Sequence, residues 1–179
     1  MKTLGSILFL SLLLAAPLGA QDTQPVEIGL DGVYQISLVD QGDNLTELLI
    51  PSGSLRLGLY LTPRVALEPI LRIDRRSAGD NSLTSLILQP NLVFYFREYD
   101  RIPQPYVRAG GGLNYVGFSG SSDDSETYFS AVGAVGVKVP VLENAFFRFE
   151  GNIQHYFDED AVMAQTVLGL TVGIAVVVN

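Results

Sequence analysis

Residues 146–156 read FFRFEGNIQHY. Arg148, Glu150, Asn152 and Gln154 take every second position, and Phe147, Phe149 and Ile153 fill positions between them. Side chains alternate faces along a β-strand, so this segment has a polar face and a mostly apolar one. A soluble sheet buries the apolar face and wets the polar one. A closed sheet in a bilayer does the reverse, with apolar side chains against lipid and polar ones inside. The remainder of the chain decides between these two.

Outward from this stretch the same period recurs. After residue 20 the chain divides into eight apolar-rich segments, roughly 26–38, 53–61, 64–74, 83–97, 105–117, 127–139, 145–157 and 163–178. Each is long enough for a tilted membrane strand of about 9–11 residues. No helical spacing is sustained, and glycines and β-branched residues interrupt every candidate helix. The predicted class is all-β.

The faces sort by parity. Ser54, Arg56, Gly58 and Tyr60 oppose Leu55, Leu57, Leu59 and Leu61. Ala66, Glu68, Ile70, Arg72 and Asp74 oppose Val65, Leu67, Leu71 and Ile73. Gln89, Asn91, Tyr95 and Arg97 lie opposite Leu88, Leu92, Phe94 and Phe96, and Tyr106, Arg108, Gly110, Gly112 and Asn114 opposite Val107, Ala109 and Leu113. At the ends, Glu27, Asp31 and Gln35 oppose Ile28, Leu30, Tyr34 and Ile36, while Gly169, Thr171, Gly173 and Ala175 oppose Leu168, Leu170, Val172 and Ile174.

The polar face carries long ionic side chains of both signs. A soluble lipocalin-like barrel would put these outside at no cost. Two features weigh against it. Its interior would have to hold bulky Leu and Phe from eight strands, and a soluble surface would scatter Lys and Glu over the strands, where Lys is nearly absent. The charges are therefore expected to face inward. Eight strands enclose an interior just wide enough for side chains to fill, and an unpaired buried charge costs several kcal/mol. Glu27, Asp31, Arg56, Glu68, Arg72, Arg97, Arg108, Lys138, Arg148 and Glu150 are thus the candidates for an interior ion-pair network. A gated narrow channel is the alternative use of the same residues.

The connections alternate in character. LTPR around Pro63, EYDRIPQ from Glu98 and PVLEN from Pro140 are short and Pro-bearing. DQGDNLTELLIPSG from Asp40, RSAGDNS from Arg76, SGSSDDSE from Ser119 and DED at Asp158 are acidic or rich in Gly and Ser. Short periplasmic turns and longer outer loops are the outer-membrane arrangement. Interfacial aromatic girdles are part of it too. Phe94, Phe96, Tyr99, Phe146 and Phe147 are assigned to the periplasmic rim, and Tyr115, Phe118, Phe129 and Phe157 to the outer rim. Pro69 and Pro90 resist the scheme, because a mid-strand proline deletes a ladder donor; a shared bulge or misplaced strand boundaries would account for them.

The first twenty residues, MKTLGSILFLSLLLAAPLGA, have the form of a secretory signal, with Lys2, an apolar run from Ile7 to Ala16, and small residues before Gln21. An uncleaved N-terminal anchor is the alternative. Removing twenty residues from 179 leaves 159, enough for one domain. Losing Lys2 takes the formal charge from −8 to −9, which argues against nucleic acid as a partner. There is no cysteine, so neither disulfides nor thiolate metal sites arise. Mean hydropathy is positive.

Chemistry finds little purchase. The single histidine, His155, falls by parity on the lipid or outer-rim face, without a Ser neighbour in its strand, and residue 157, where a lipid-deacylating barrel would need its serine, is Phe. Asp123, Asp124 and Glu126, or Asp158, Glu159 and Asp160, offer oxygen ligands but lack the spacing of a dedicated calcium loop. The AGGGLNY run from Ala109 is not followed by a helix and reads as strand, not as a phosphate loop. No catalytic role, metal or cofactor is predicted.

With its alternation, loop order and final strand, the chain resembles the small OmpA/OmpX-type outer-membrane β-barrels. The most specific match is TVGIAVVV, where Thr171, Gly173, Val176 and Val178 have the spacing of the family's C-terminal assembly signal. Asn179 stands where that signal carries an aromatic. The resemblance implies an eight-stranded antiparallel up-and-down transmembrane barrel over residues 21–179, after a signal peptide over 1–20. It implies an interior plugged by salt bridges and a monomer in a Gram-negative-type outer membrane. The implied partners are lipid and lipopolysaccharide, the barrel-assembly machinery and an unidentified surface partner. The implied role is structural or surface-interactive, through acidic outer loops, with no enzymatic activity.

Overall fold

The computed structural model describes residues 25–38, 46–78, 81–98, 102–119, 124–157 and 166–178. Within them the chain runs up and down through β1 (Val26–Leu38), β2 (Thr46–Thr62), β3 (Val65–Leu67), β4 (Ile70–Ala78), β5 (Asn81–Gln89), β6 (Asn91–Tyr95), β7 (Gln104–Ser119), β8 (Asp124–Pro140), β9 (Ala145–Phe157) and β10 (Thr166–Val178). All pairings are antiparallel, and β1 pairs with both β2 and β10, which closes the sheet.

β3 and β4 form one stave of the barrel, as do β5 and β6, so the ring has eight staves. The breaks at Pro69 and Pro90 are not bulges. Leu67 pairs with Leu92 and Ile70 with Gln89, so the register passes through unshifted and sets the two prolines directly opposite each other. Between these staves the adjacent pair carries the bonds: Glu68 and Asn91 exchange both backbone hydrogen bonds, at 2.7 and 3.1 Å. Each proline nitrogen instead faces away from its fellow stave. Their carbonyls still serve the outer neighbours, accepting from Leu57 N at 3.0 Å and Gly111 N at 3.3 Å.

The segment boundaries read from sequence hold at 26–38 and 145–157. In β2, β4, β5, β7 and β8 the strands run further toward the loop end, most of all in β2, which begins at Thr46 within the stretch assigned to a loop, whereas the last segment, read as 163–178, is described as strand from Thr166. Hydrogen bonding, not composition, sets that limit: a polar strand leaving the bilayer still finds its neighbour. The turns between β2 and β3, β6 and β7, and β8 and β9 lie at the same end as Val26 and Val178, which pair. In the first, Thr62 Oγ1 accepts from Arg64 N and Val65 N, at 3.2 and 3.0 Å.

The faces are those of a membrane barrel. In β10, Val167, Gly169, Thr171, Gly173, Ala175 and Val177 are buried while the residues between them are exposed. Leu30 and Leu170 are 65% and 62% exposed, whereas Lys138 and Arg148 are each 1% exposed. Bulky apolar side chains outside and charges inside are the inverse of a lipocalin-like carrier, and that alternative falls. The outer surface carries Phe94, Phe96 and Phe147 toward the turns, and Tyr115, Phe118, Phe129 and Phe157 toward the loops, all exposed. Phe146 does not belong to that girdle. It shares parity with Arg148 and is buried in the lumen at 2% exposure. Tyr99 and the acidic residues Asp123 and Asp158–Asp160 lie outside the described residues.

Candidate functional site

The lumen is built by the inward parity of each stave. Its charged centre links opposite walls. Arg148 on β9 donates through Nη1 to Glu68 Oε2 at 2.6 Å and to Glu27 Oε1 on β1 at 3.0 Å. Arg56 on β2 donates from Nη1 to Glu68 Oε1 at 2.7 Å, from Nε to Asp31 Oδ2 at 2.6 Å, and more loosely to Glu150 at 3.4 Å. Arg108 on β7 grips Glu150 in a two-pronged contact, Nε at 3.0 Å and Nη2 at 2.6 Å, and passes Nη1 to Asn91 Oδ1 at 2.7 Å. Lys138 pairs with Glu27 Oε2. Two-pronged guanidinium–carboxylate contacts are the strong kind, and every side chain in these pairs is at most 4% exposed.

Toward the turn end a tyrosine layer closes the space. Tyr60 stacks on Tyr95 at 5.6 Å, and Tyr95 packs on Tyr106 at 5.8 Å between ring centres. Lys138 Nζ sits 4.4 Å above the Tyr95 ring and donates to Tyr60 Oη at 2.9 Å. The hydroxyls of Tyr60 and Tyr106 donate to Glu27 and Glu150, each at 3.0 Å. Lys138 is thereby held by a carboxylate and an aromatic face together. Gly136 makes the tyrosine layer possible: a Cβ there would lie 2.5 Å from the Tyr106 ring, so only glycine lets that ring lie against β8.

Of the residues expected in the network, Glu27, Asp31, Arg56, Glu68, Arg108, Lys138, Arg148 and Glu150 are brought together. Arg72 lines the lumen nearer the loop end but joins none of the ion pairs among the described residues. Arg97 is a correction. β6 ends at Tyr95, Phe96 N bonds to Pro105 O at 3.0 Å, and Phe96 and Arg97 are both exposed. The alternation has lapsed there, so parity no longer places a side chain inside. The three tyrosines, Asn91 and Gly136 were not among the candidates, though parity put Tyr60, Tyr95, Tyr106 and Asn91 on the polar face.

The remaining candidates stand outside the ion-pair network. Thr171 and Gly173 face the lumen, and Val176 and Val178 face outward. His155 sets Nδ1 3.1 Å from Thr166 Oγ1 and meets the edge of Phe157 at 4.8 Å. Glu126 is exposed.

The sequence profile of the outer membrane protein beta-barrel domain family matches residues 6–175. Among solved structures, Neisserial surface protein A is similar, with a TM-score of 0.64 and 16% identity over 84% of this chain and 96% of that one. The N-terminal beta-barrel domain of Pseudomonas aeruginosa OprF gives 0.54 and 22%, over 87% and 99%. The attachment invasion locus protein Ail of Yersinia pestis gives 0.55 and 12%, also over 87% and 99%. At such identities the likeness is one of fold. No curated protein sequence matches the chain.

Proposed function

Because the chain belongs to the outer membrane protein beta-barrel domain family, and so to the bacterial outer membrane, we propose that it is a plugged barrel with a structural or surface-interaction role. Its acidic connections would be presented outside the cell and its lumen would carry no solute. The observation that supports this reading is the Arg148–Glu68 contact with its flanking pairs, which ties opposite walls through the centre of the lumen. A passage would need these pairs to part, and parting buried ions costs several kcal/mol each. The names of the Neisserial and Yersinia barrels refer to the cell surface and to attachment and invasion, a role that acidic surface loops would suit by analogy.

In this reading residues 1–20 are removed on export and the rest acts as a monomer. The assembly machinery recognises the final strand, the barrel sits among lipid and lipopolysaccharide, and its loops meet a surface partner. It performs no catalysis.

The test is purification in detergent micelles followed by gel migration before and after boiling, then reconstitution into planar bilayers. A compact heat-modifiable band with no discrete conductance is the expected result. Discrete conductance that changes in Arg56→Gln or Arg148→Gln would replace the plug with the narrow channel.

A further inference from the structure

Among the described residues, the paired ions of the lumen consist of four carboxylates, Glu27, Asp31, Glu68 and Glu150, and four cations, Arg56, Arg108, Lys138 and Arg148. This set is neutral. Arg72 is an additional cation on β4, and its Nε is fully covered yet has no hydrogen-bond acceptor. A covered guanidinium nitrogen without an acceptor is uncommon enough to call for a ligand.

Arg72 lines a cavity of ≈ 20 Å³ whose charged wall is Arg56, Arg72, Arg108, Asp31 and Glu150. Three guanidinium groups therefore face two carboxylates. Both carboxylates are already held, Asp31 by Arg56 at 2.6 Å and Glu150 by Arg108 at 2.6 Å. Asp74, two residues along the same face, forms no ion pair with Arg72 among the described residues and is partly exposed. The space thus carries an excess positive charge, and one water-sized body needs about 10–15 Å³ of such volume. Sulfate, phosphate or a carboxylate would not fit.

We propose that this cavity binds a single monatomic anion of the chloride class, held among the guanidinium groups of Arg72, Arg56 and Arg108 that line it. The anion completes the charge balance of the loop-side lumen, where three guanidinium groups meet two carboxylates. It also stabilises the folded barrel by mass action, because the site exists only when β2, β4, β7 and β9 are assembled.

Bromide scatters anomalously and substitutes for chloride. Crystals of the detergent-solubilised protein grown in sodium bromide should show an anomalous peak in the cavity lined by Arg56, Arg72 and Arg108. In parallel, thermal unfolding in micelles is followed as chloride replaces gluconate at constant ionic strength. The wild-type midpoint should rise with chloride, and Arg72→Gln should lose that dependence. Water density without anomalous signal would overturn the proposal, as would an Arg72→Gln variant that responds to chloride like wild type. If Arg72→Gln does not fold, the bromide map of the wild-type protein decides alone.

Discussion

Arg148 and Glu68 stand on staves that face each other across the barrel, and their Nη1–Oε2 contact is 2.6 Å. Glu68 also takes Arg56 Nη1 at 2.7 Å, so one carboxylate serves two guanidinium groups. Glu68→Gln should therefore cost about 3–5 kcal/mol, the scale for removing one partner from a buried ionic cluster. Urea titration in lipid vesicles, read by the fraction of the compact gel band, measures this. A cost below about 1 kcal/mol would mean that water replaces the carboxylate freely.

Leu170 faces lipid from the middle of β10 and is 62% exposed, while Leu142, 67% exposed, sits in the turn after β8. Arginine at a lipid-facing midplane position costs about 2–4 kcal/mol and much less near an interface. Leu170→Arg should destabilise by that amount, and Leu142→Arg by less than about 1 kcal/mol. Equal costs in the same urea assay would contradict the assigned bilayer position.

Gly136→Ala should push the Tyr106 ring from its seat, since the new Cβ would fall 2.5 Å from it. The ring's hydrogen bond to Glu150 would go with it. Overpacking of this kind costs about 1–3 kcal/mol. The chain has no tryptophan, so near-ultraviolet circular dichroism reports tyrosine packing directly. An unchanged tyrosine signal would show that the ring has other room.

Pro69→Ala and Pro90→Ala each restore a ladder donor facing Leu57 and Gly111 respectively. A net hydrogen bond is worth about 0.5–1.5 kcal/mol, offset by about 0.4–1 kcal/mol from a more flexible unfolded chain. The global stability should barely move. The new alanine amide should nevertheless exchange slowly in hydrogen-exchange measurements; rapid exchange would indicate a local opening of the wall.

The barrel was legible because one physical rule, the two-residue period, acts on nearly every residue of a lipid-embedded sheet. It failed where another preference overrode it. Phe146 was assigned to the lipid interface on its aromatic character, although its parity with Arg148 puts it in the lumen. Arg97 was carried inward by extending the period past Tyr95, where the chain turns. The start of β2 was hidden because Thr46 and its neighbours have loop-like composition, and sequence carries no direct trace of hydrogen bonding to a distant strand. Parity also found the charged residues of the lumen but not their pairing, which depends on how the ring closes. Nothing in the period distinguishes Arg72 from Arg56, yet Arg56 bridges three carboxylates and Arg72 joins none of the ion pairs among the described residues.

The division of the lumen charges along the chain has a consequence for assembly. Among the paired ions, residues up to Tyr95 contribute Glu27, Asp31 and Glu68 opposed by Arg56, and residues from Gln104 contribute Arg108, Lys138 and Arg148 opposed by Glu150; Arg72 stands outside these pairs. Within the paired set each half of the chain is therefore the counter-ion of the other, two negative charges meeting two positive. Neither half can enter hydrocarbon alone without carrying bare charge, so the charge balance favours insertion and closure together. Two separately made fragments should find each other by the same attraction.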